Sequence, residues 1–358
     1  MSGVPLRPGI AAALLAAGLF GAGTPLAKLL LAGVDPWMLA GLVYLGSGAG
    51  LWIFRAVRGA PRASVPKADL PWLAGAVVAG GAAAPVLLMY GLTRMPASGA
   101  SLLLNAEAAF TALLAWFVFR ENFDRRVALG MLAIVAGATV LAWPQDVRFG
   151  DLWPSLAVLG ACLCWGIDNN FTRKVSLADA TWIACVKGLA AGTVNLVLAA
   201  ALGAQWPAAV PAVGALILGF FAYGASLTLY VVGLRDLGTA RTGAYFSVAP
   251  FFGAALAVPL LGEAPDSRLL AAGALMALGI WLHVTERHRH RHTHEAIEHE
   301  HEHEHEHDEH HRHVHEPAVP AGTTHVHSHR HEAMTHEHEH FPDAHHRHGH
   351  RTDEAGSI

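Results

Sequence analysis

Several charged and amide side chains stand inside long apolar stretches of this sequence, where they could bind a proton or a polar solute. Glu107 lies about midway along the stretch at 96–119, and Thr111 follows it by one helical turn on the same face. A charged side chain in the hydrocarbon of a bilayer costs about 2.5–3.5 kcal/mol on insertion scales, so it requires a partner or a purpose. We therefore predict that Glu107 exchanges protons or contacts a substrate.

Two further apolar stretches, at 152–172 and 180–202, carry polar side chains at helical spacing. We expect the three stretches to form helices that line a central cavity, with their polar groups turned toward a shared solute. The candidate substrate-binding and coupling residues are Glu107, Asp168, Asn169, Lys187, Trp165 and Asn195.

These candidates have structural alternatives. Asp168 could lie in water near the inner surface, and Lys187 could only offset one of the acids or extend to that surface. Trp165, Tyr223 and Tyr230 could stack on a substrate or anchor helix ends at the membrane interface. The sequence leaves both readings open.

Other residues are expected to shape the helices. Gly188 and Gly192 form a Gly-x-x-x-Gly pair, which predicts close helix packing. Glu121 and Glu263 stand at helix ends, where we expect them to complete tight turns before the fifth and tenth helices.

The end of the chain has a different chemistry, because all 25 histidines lie at or after His283. Neutral imidazole is the usual ligand for Zn, Ni, Co and Cu ions, and the interleaved glutamates add oxygen donors. The segment cannot bury a core, so we predict that it is disordered and holds several exchangeable ions. The alternative is a solvated appendage that only titrates with pH. The predicted metal ligands are His299, His301, His303, His305, His307, His325, His327, His329, His336, His338 and His340.

The residues before Glu286 are dominated by Ala, Leu, Gly and Val, in runs long enough to cross roughly 30 Å of hydrocarbon as helices. We predict an all-α polytopic membrane protein with ten transmembrane helices. Placing the N-terminus in the cytoplasm puts most Lys and Arg residues of the short loops on that side, and ten crossings return the C-terminus to it. The predicted helices cover 9–32, 35–55, 70–91, 96–119, 123–143, 152–172, 180–202, 209–232, 239–261 and 267–285.

An internal repeat relates the two halves of the apolar region. The stretch 91–137 reappears 142 positions later as 233–279, and the pair Lys28 and Arg173 extends the repeat at an offset of 145. Each half then holds five helices, and an odd number forces the copies into opposite orientations in the membrane. We predict two inverted five-helix repeats, followed by a disordered His-rich cytoplasmic tail. The predicted boundaries are 8–143, 151–286 and 287–358.

The motifs of these halves resemble those of the drug/metabolite transporter superfamily, and most closely its EamA-type permeases. The likeness rests on Phe-Gly at 20–21, Trp-Gly at 165–166, Phe-Arg-Glu at 119–121 and Leu-Gly-Glu at 261–263. Arg120 departs from the family, which usually has Gly there. The resemblance implies a secondary carrier, in bacteria usually an inner-membrane exporter of amino acids or other small metabolites.

The sequence also limits the partners and the chemistry. It contains no phosphate-binding Gly-x-x-x-x-Gly-Lys-Ser/Thr loop and nothing like a catalytic triad, so we expect neither ATP drive nor an enzyme. The expected partners are the lipid bilayer, a small-molecule substrate and divalent transition metals at the tail, with no required cofactor and no nucleic acid. An oligomer is compatible with the sequence. Two alternatives remain: a carrier that exports a divalent cation or a metal chelator, and a membrane-anchored metal store.

Overall fold

Helices make up nearly all of the described residues before Glu286. The structure, a computed structural model, describes residues 8–60, 66–118, 125–142, 152–175, 179–237, 245–284, 288–294, 297–303, 325–331 and 334–340. The α-helices are α1 (Pro8–Leu30), α2 (Pro36–Val57), α3 (Leu70–Ala76), α4 (Ala84–Arg94), α5 (Ala97–Leu103), α6 (Ala106–Phe117), α7 (Arg125–Ala142), α8 (Trp153–Lys174), α9 (Ala180–Ala201), α10 (Ala209–Gly219), α11 (Ser226–Leu237), α12 (Ala249–Leu261) and α13 (Ser267–Val284). The chain forms two compact units, Met1–Glu286 and Arg287–Ile358.

The described helices fall on the predicted apolar segments. Five stretches are long and apolar enough to cross a membrane: Gly9–Leu30, Pro36–Val57, Lys67–Arg94, Thr181–Ala201 and Ala209–Gly233. Three shorter apolar helices lie at Ala128–Leu141, Ala249–Leu261 and Ser267–Leu282. Helices α5, α6 and α8 lie on the two remaining predicted segments. The helical character of this region is confirmed, and the count of ten crossings stays a prediction.

The prediction of one continuous helix at 96–119 is wrong, because the helix is interrupted between α5 and α6. The backbone N–H of Asn105 bonds to the carbonyl of Leu102, three residues back, and the Asn105 side-chain amide donates to the same carbonyl at 3.0 Å. A side chain that competes for a backbone acceptor in this way interrupts the regular helix ladder. The break places Glu107 in the first turn of α6.

Two other predicted helices contain a wider, π-helical segment. Val77–Ala83 separates α3 from α4, and Phe220–Ala225 separates α10 from α11. A π segment shifts the backbone bonds by one residue and leaves carbonyls available to other partners. The two segments occupy corresponding places in the two halves of the repeat.

The repeat is also visible in the packing of the helices. Helix α1 packs against α11 and α12, and α8, its counterpart, packs against α4 and α6. At equivalent points, Gly21 lies against Phe252 and Gly166 lies against Phe110. The two phenylalanines are themselves a pair of the sequence repeat. Each half therefore contributes the same helix contacts to the bundle.

Helices α2 and α9 pack with their backbones in contact. A Cβ atom added at Gly48 would lie 2.3 Å from the backbone nitrogen of Leu189, and one added at Gly192 would lie 2.4 Å from that of Leu45. Gly188 meets Gly48 in the same way, at 2.7 Å from its nitrogen. The predicted packing role of the Gly-x-x-x-Gly pair is confirmed.

The ends of α2 and α9 are joined by an ion pair. Arg55 Nη1 lies 2.5 Å from Asp179 Oδ2, and Asp179 Oδ1 also accepts a bond from the first-turn N–H of Thr181 at 2.8 Å. Burial alone would raise the pKa of Asp179, but the hydrogen bonds from Thr181 and Arg55 outweigh it, so the pKa is lowered. The Asp179 carboxylate therefore caps α9 while it holds α2.

The second unit contains four described strands, β1 (His288–His294), β2 (Ile297–His303), β3 (His325–His331) and β4 (Met334–His340). Strand β1 pairs antiparallel with β4, and β2 pairs antiparallel with β3. The structure describes these four segments as paired strands, and disorder of the tail as a whole stays a prediction. His alternates with other residues along most of each strand, which is the period of a strand, and strand pairing satisfies the backbone groups that a coreless tail leaves open.

A substitution at the α2–α9 contact tests the close packing. Gly48→Val should lower the thermal unfolding midpoint of the purified protein, because the helices must separate to admit the side chain. Gly18 has nothing within 4 Å of its Cβ position, so the control Gly18→Ala should leave the midpoint unchanged or raise stability by about 0.5–1 kcal/mol. Heating in detergent followed by size-exclusion chromatography measures both. Equal midpoints for the two variants would contradict the packing.

Candidate functional site

A carboxylate and two amides form the first part of the site, on α6 and α8. Glu107 Oε1 accepts a hydrogen bond from Asn169 Nδ2 at 2.8 Å, and the same nitrogen lies 3.2 Å from Thr111 Oγ1. The neighbouring Asn170 ties the two helices together by donating to the Thr111 carbonyl at 3.1 Å. Asn169 is exposed and Glu107 is half-buried, so this pair is not sealed within the packed helices.

Glu107 follows the interruption between α5 and α6. The N–H groups of Glu107 and Ala108 bond to the carbonyls of Leu104 and Asn105, three residues back, and Asn105 makes no side-chain cap bond to α6. The interruption is therefore a tightened turn of the helix. The Glu107 carboxylate at this turn has the Asn169 amide of α8 as its hydrogen-bond partner.

An ion pair between α8 and α9 forms the second part. Lys187 Nζ lies 2.5 Å from Asp168 Oδ1, and the Thr172 hydroxyl donates to the same carboxylate oxygen at 2.8 Å. Lys187 also donates to Thr172 Oγ1 at 3.1 Å. The side chains of Lys187 and Asp168 are only 17% and 9% exposed. Each charge here is neutralised by its partner, which offsets much of the cost of burying it.

The two parts adjoin, because Asp168 and Asn169 are consecutive on α8. Glu107 lies within electrostatic range of both Asp168 and Lys187. With all three groups ionised, the site holds two carboxylates and one ammonium. Such a set can bind a proton, a substrate cation, or a molecule that carries both an amine and a carboxylate. Four of the six predicted site residues are therefore brought together: Glu107, Asp168, Asn169 and Lys187.

The other two predicted residues hold the π segment Val77–Ala83 in place. Trp165 Nε1 donates to the carbonyl of Gly80 at 3.0 Å, and Asn195 Nδ2 donates to the carbonyl of Gly81 at 3.1 Å. A Cβ atom at Gly80 would lie 1.9 Å from Asp168 Oδ2, so this backbone touches the ion pair directly. The side-chain N–H groups of Trp165 and Asn195 thus bond to backbone carbonyls. These two side chains support the site by holding the backbone that packs against the ion pair.

Tyr44 is a site residue that the sequence reasoning missed. Its hydroxyl donates to the Gly80 carbonyl at 2.9 Å, and Trp165 Nε1 lies 3.3 Å from the Tyr44 hydroxyl oxygen. A lone tyrosine in the middle of a Gly-rich apolar helix was the available signal. Buried hydroxyl groups require a partner, and only the fold shows that this one is a π-helical carbonyl 36 residues away.

A row of aromatic rings extends from Tyr44 across the bundle. Ring centroids are 5.6 Å apart for Tyr44 and Tyr223, 5.6 Å for Tyr223 and Phe20, 5.4 Å for Phe20 and Phe246, and 4.9 Å for Phe246 and Tyr230. All five side chains are half-buried. Tyr44 and Tyr223 lie within electrostatic range of Glu107. Tyr223 and Tyr230 therefore belong to an internal aromatic surface that adjoins the carboxylate.

Metal binding by the tail stays a prediction. Within the part of the chain that the structure describes, no group of three or more His, Cys, Asp or Glu side chains is arranged to hold a metal ion. Nine of the predicted ligands lie on β2, β3 and β4, and His305 and His307 lie outside the described residues.

Comparisons with known proteins agree on one kind of molecule. The family model described as the EamA-like transporter family matches twice, over residues 7–143 and 152–285. An uncharacterized transporter of Methanothermobacter thermautotrophicus is 27% identical over 283 residues, which cover 74% of this chain and 82% of the relative. The two matches of the family model fall on the two halves of the sequence repeat.

Two further relatives have more specific names. A probable amino-acid metabolite efflux pump of Salmonella typhimurium is 28% identical, over 53% of this chain and 68% of the relative. A probable terminal-alkyne amino-acid exporter of Streptantibioticus cattleyicolor is 30% identical, over 60% of this chain and 73% of the relative. One crystal structure of a protein superposes on this chain with a TM-score of 0.58 at 19% sequence identity. The match covers 76% of this chain and 95% of that protein, and it shows that the two share a fold.

The ion pair on α8 and α9 can be tested by removing one or both partners. Asp168→Asn or Lys187→Met should each destabilise the protein by about 3–5 kcal/mol, because the remaining charge is left buried without its partner. The double variant should recover much of this loss. Thermal unfolding in detergent measures the set, with the exposed Lys67→Met as a control. A double variant as unstable as the sum of the singles would show that the two charges are independent.

Proposed function

Because this chain belongs to the EamA-like transporter family, we propose that it is a secondary transporter that exports a small metabolite such as an amino acid. Members of this family are transporters and not enzymes, and they need no cofactor. The chain is accordingly a multi-pass membrane protein whose natural surroundings are the lipid bilayer and a small-molecule substrate.

One observation carries the choice of an amino acid: both signs of charge lie side by side at the site. Glu107 can receive a substrate ammonium, since Asn169 occupies only one of its oxygens in the described structure. Lys187 can receive a substrate carboxylate by exchanging it for Asp168. A free amino acid carries both groups, so it can pair with both signs of charge at the site, while the displaced Asp168 carboxylate keeps the hydrogen bond from Thr172. The names of two relatives, an amino-acid metabolite efflux pump and an amino-acid exporter, support the same class.

The substrate side chain would then lie against the aromatic row. Rings at the spacing of Tyr44, Tyr223 and Phe20 offer apolar faces to a side chain and π faces to a cation. We include Trp165 and Asn195 in the site as positioning residues, since they fix the backbone against which Asp168 packs. The proposed substrate and coupling set thus keeps its six predicted residues and gains Tyr44.

The proposal includes the membrane topology. Two inverted five-helix repeats, 8–143 and 151–286, would give ten crossings of the inner membrane and place both chain ends in the cytoplasm. The recurrence of the same helix contacts and of a π segment in each half supports the duplication. The cluster of Lys and Arg residues in loops on one side supports the orientation.

For the tail, residues 287–358, we propose the binding of Zn, Ni, Co or Cu ions on the cytoplasmic side. The register of β2 and β3 favours this, because it pairs His299 with His329, His301 with His327, and His303 with His325. A ladder of paired histidines concentrates imidazole, the usual ligand of these metals. This keeps metal homeostasis as the second candidate function, in which the carrier exports a cation or chelator or the tail stores metal.

The first test concerns Glu107. Glu107→Gln keeps an oxygen that can accept from Asn169 but removes the charge, so we expect efflux of the substrate amino acid to fall at least tenfold while insertion is normal. Export of a panel of amino acids from cells or proteoliposomes, with protein amount measured in the membrane, checks this. Asp69→Asn is the matched control, since that carboxylate makes no cap bond. Normal flux in Glu107→Gln would remove Glu107 from the mechanism.

The second test concerns the tail. Deletion of residues 288–358 should abolish zinc and nickel binding by the purified protein and reduce metal tolerance, while amino-acid efflux remains at its normal rate. Metal binding is measured by calorimetry and efflux by the same panel. Loss of efflux on deletion would favour the metal-linked carrier over the amino-acid exporter, and unchanged metal tolerance would contradict a metal-handling role for the tail.

A further inference from the structure

The duplication allows equivalent residues on the two sides of the bundle to be compared. The first helix of each half packs on the π segment of the other half. At one of these contacts a Cβ atom added at Gly80 would lie 1.9 Å from Asp168 Oδ2. At the other, a Cβ atom added at Gly23 would lie 3.3 Å from that of Ala222. The offsets of the sequence repeat, 145 for the first helices and 142 for the π segments, pair these same residues. The structure therefore contains the same contact twice.

Charge is present on only one of the two sides. For α9 and α2 the correspondence is counted from their N-cap residues, Asp179 and Asp35, and elsewhere it follows the two offsets of the repeat. We call Glu107, Asp168 and Lys187 the charged wall. Their counterparts, in the same order, are Ala249, Gly23 and Val43. The equivalent positions on the other side of the bundle are therefore uncharged.

The other side carries aromatic rings instead. We call four members of the aromatic row, Phe20, Tyr223, Tyr230 and Phe246, the aromatic wall. In the first half, the counterparts of the last three are Gly81, Leu88 and Leu104, so no ring stands at these places. The counterpart of Phe20 is Trp165, whose indole is buried and bonded to the Gly80 carbonyl. The two copies have thus diverged, one toward charge and the other toward aromatic surface.

The two walls meet at Tyr44. The Tyr44 hydroxyl donates to the carbonyl of Gly80, which touches the charged wall, and its ring centroid lies 5.6 Å from that of Tyr223 in the aromatic wall. Glu107, Tyr44 and Tyr223 all lie deep in the bundle, yet each keeps accessible surface. A side chain with both properties borders an internal space. One space therefore has charge on one side and rings on the other.

We propose that the cargo is an amino acid with an aromatic or large apolar side chain, and that Tyr223 determines this preference. The inference rests on the proposed function and narrows its substrate class. The ammonium and carboxylate of the cargo would pair at the charged wall, and its side chain would extend across the space to the rings. A small side chain would leave the rings uncovered. A charged one would meet no opposite charge on the aromatic wall.

Tyr223 is the member of the aromatic wall best placed to contact that side chain. Its ring centroid is 5.6 Å from those of both Tyr44 and Phe20, and it lies within electrostatic range of Glu107. Tyr230 stands at the far end of the row, beyond Phe246. Because an amino-acid side chain is short, it reaches the ring nearest the charged wall first.

The test compares substrates on the full-length protein. Release of labelled phenylalanine, leucine, alanine and lysine from proteoliposomes gives kcat/KM for each amino acid. We expect phenylalanine and leucine to exceed alanine and lysine by about tenfold or more, the scale that one or two methylene groups reach in an apolar site. Tyr223→Ala should lower kcat/KM for phenylalanine about tenfold and leave that for alanine unchanged. Tyr223→Phe should retain the preference, because it keeps the ring.

Two further variants make the result specific. Tyr90→Ala is the matched control, since that tyrosine is 38% exposed on α4 and belongs to neither wall, so the substrate ratios should not change. Glu107→Gln should lower kcat/KM for all four amino acids alike, because every amino acid carries the ammonium that Glu107 would receive. Thermal midpoints are measured on the same samples, and Tyr223→Leu replaces Tyr223→Ala if the latter does not fold.

The outcomes separate this inference from the proposed function. Export of alanine as efficient as that of phenylalanine would overturn the preference and leave an amino-acid exporter. Preference for lysine would show that the rings receive a cation, which also overturns it. An equal loss for all four substrates in Tyr223→Ala, with a lower midpoint, would reduce Tyr223 to a packing residue. Export of no amino acid would refute the proposed function itself, and this inference with it.

Discussion

The structure depends on one constraint: a polar group in hydrocarbon must find its partner within the protein. Water is absent there, so an unmatched backbone or side-chain group costs several kcal/mol. The consequences appear wherever the helices are irregular. The π segment Val77–Ala83 exposes carbonyls, and Tyr44, Trp165 and Asn195 supply donors to them. At the break before α6 the Asn105 amide donates to the Leu102 carbonyl. In the turn between α4 and α5, Lys28 donates to the Met95 carbonyl and Glu263 accepts from the N–H groups of Ala97 and Ser98.

Two of these irregular points lie at the charged site, because the break precedes Glu107 and the π segment touches Asp168. A regular helix satisfies its own backbone and has no need of neighbours, whereas an interrupted one must be completed by side chains from elsewhere. Those completing bonds run between helices, over 36 residues for Tyr44 and 166 for Glu263. Breaking them loosens contacts between helices but leaves each helix intact. Interruptions are therefore suitable places for a carrier to change shape.

The sequence predicted the parts of this architecture that depend on local composition. Apolar runs located the helices, and the constant offset between Glu121 and Glu263 revealed the repeat. The cost of charge in hydrocarbon singled out Glu107, Asp168 and Lys187, which the structure brings together. Tyr44, the break at Asn105 and the partner of Glu263 were missed, because each depends on which helix lies alongside. In the tail, composition indicated disorder, while the two-residue alternation allowed the strand pairing.

The two carboxylates of the site have different partners, and this difference determines how a substrate and a proton compete on the proposed carrier. Asp168 has the ammonium of Lys187, whereas in the described structure Glu107 has only the neutral amide of Asn169. An unpaired carboxylate within the bilayer costs roughly 2.5–3.5 kcal/mol on insertion scales. A proton or a substrate ammonium on Glu107 removes that cost, and the two cannot occupy the carboxylate together. Exchange of one for the other is therefore the mode of coupling that this charge arrangement favours.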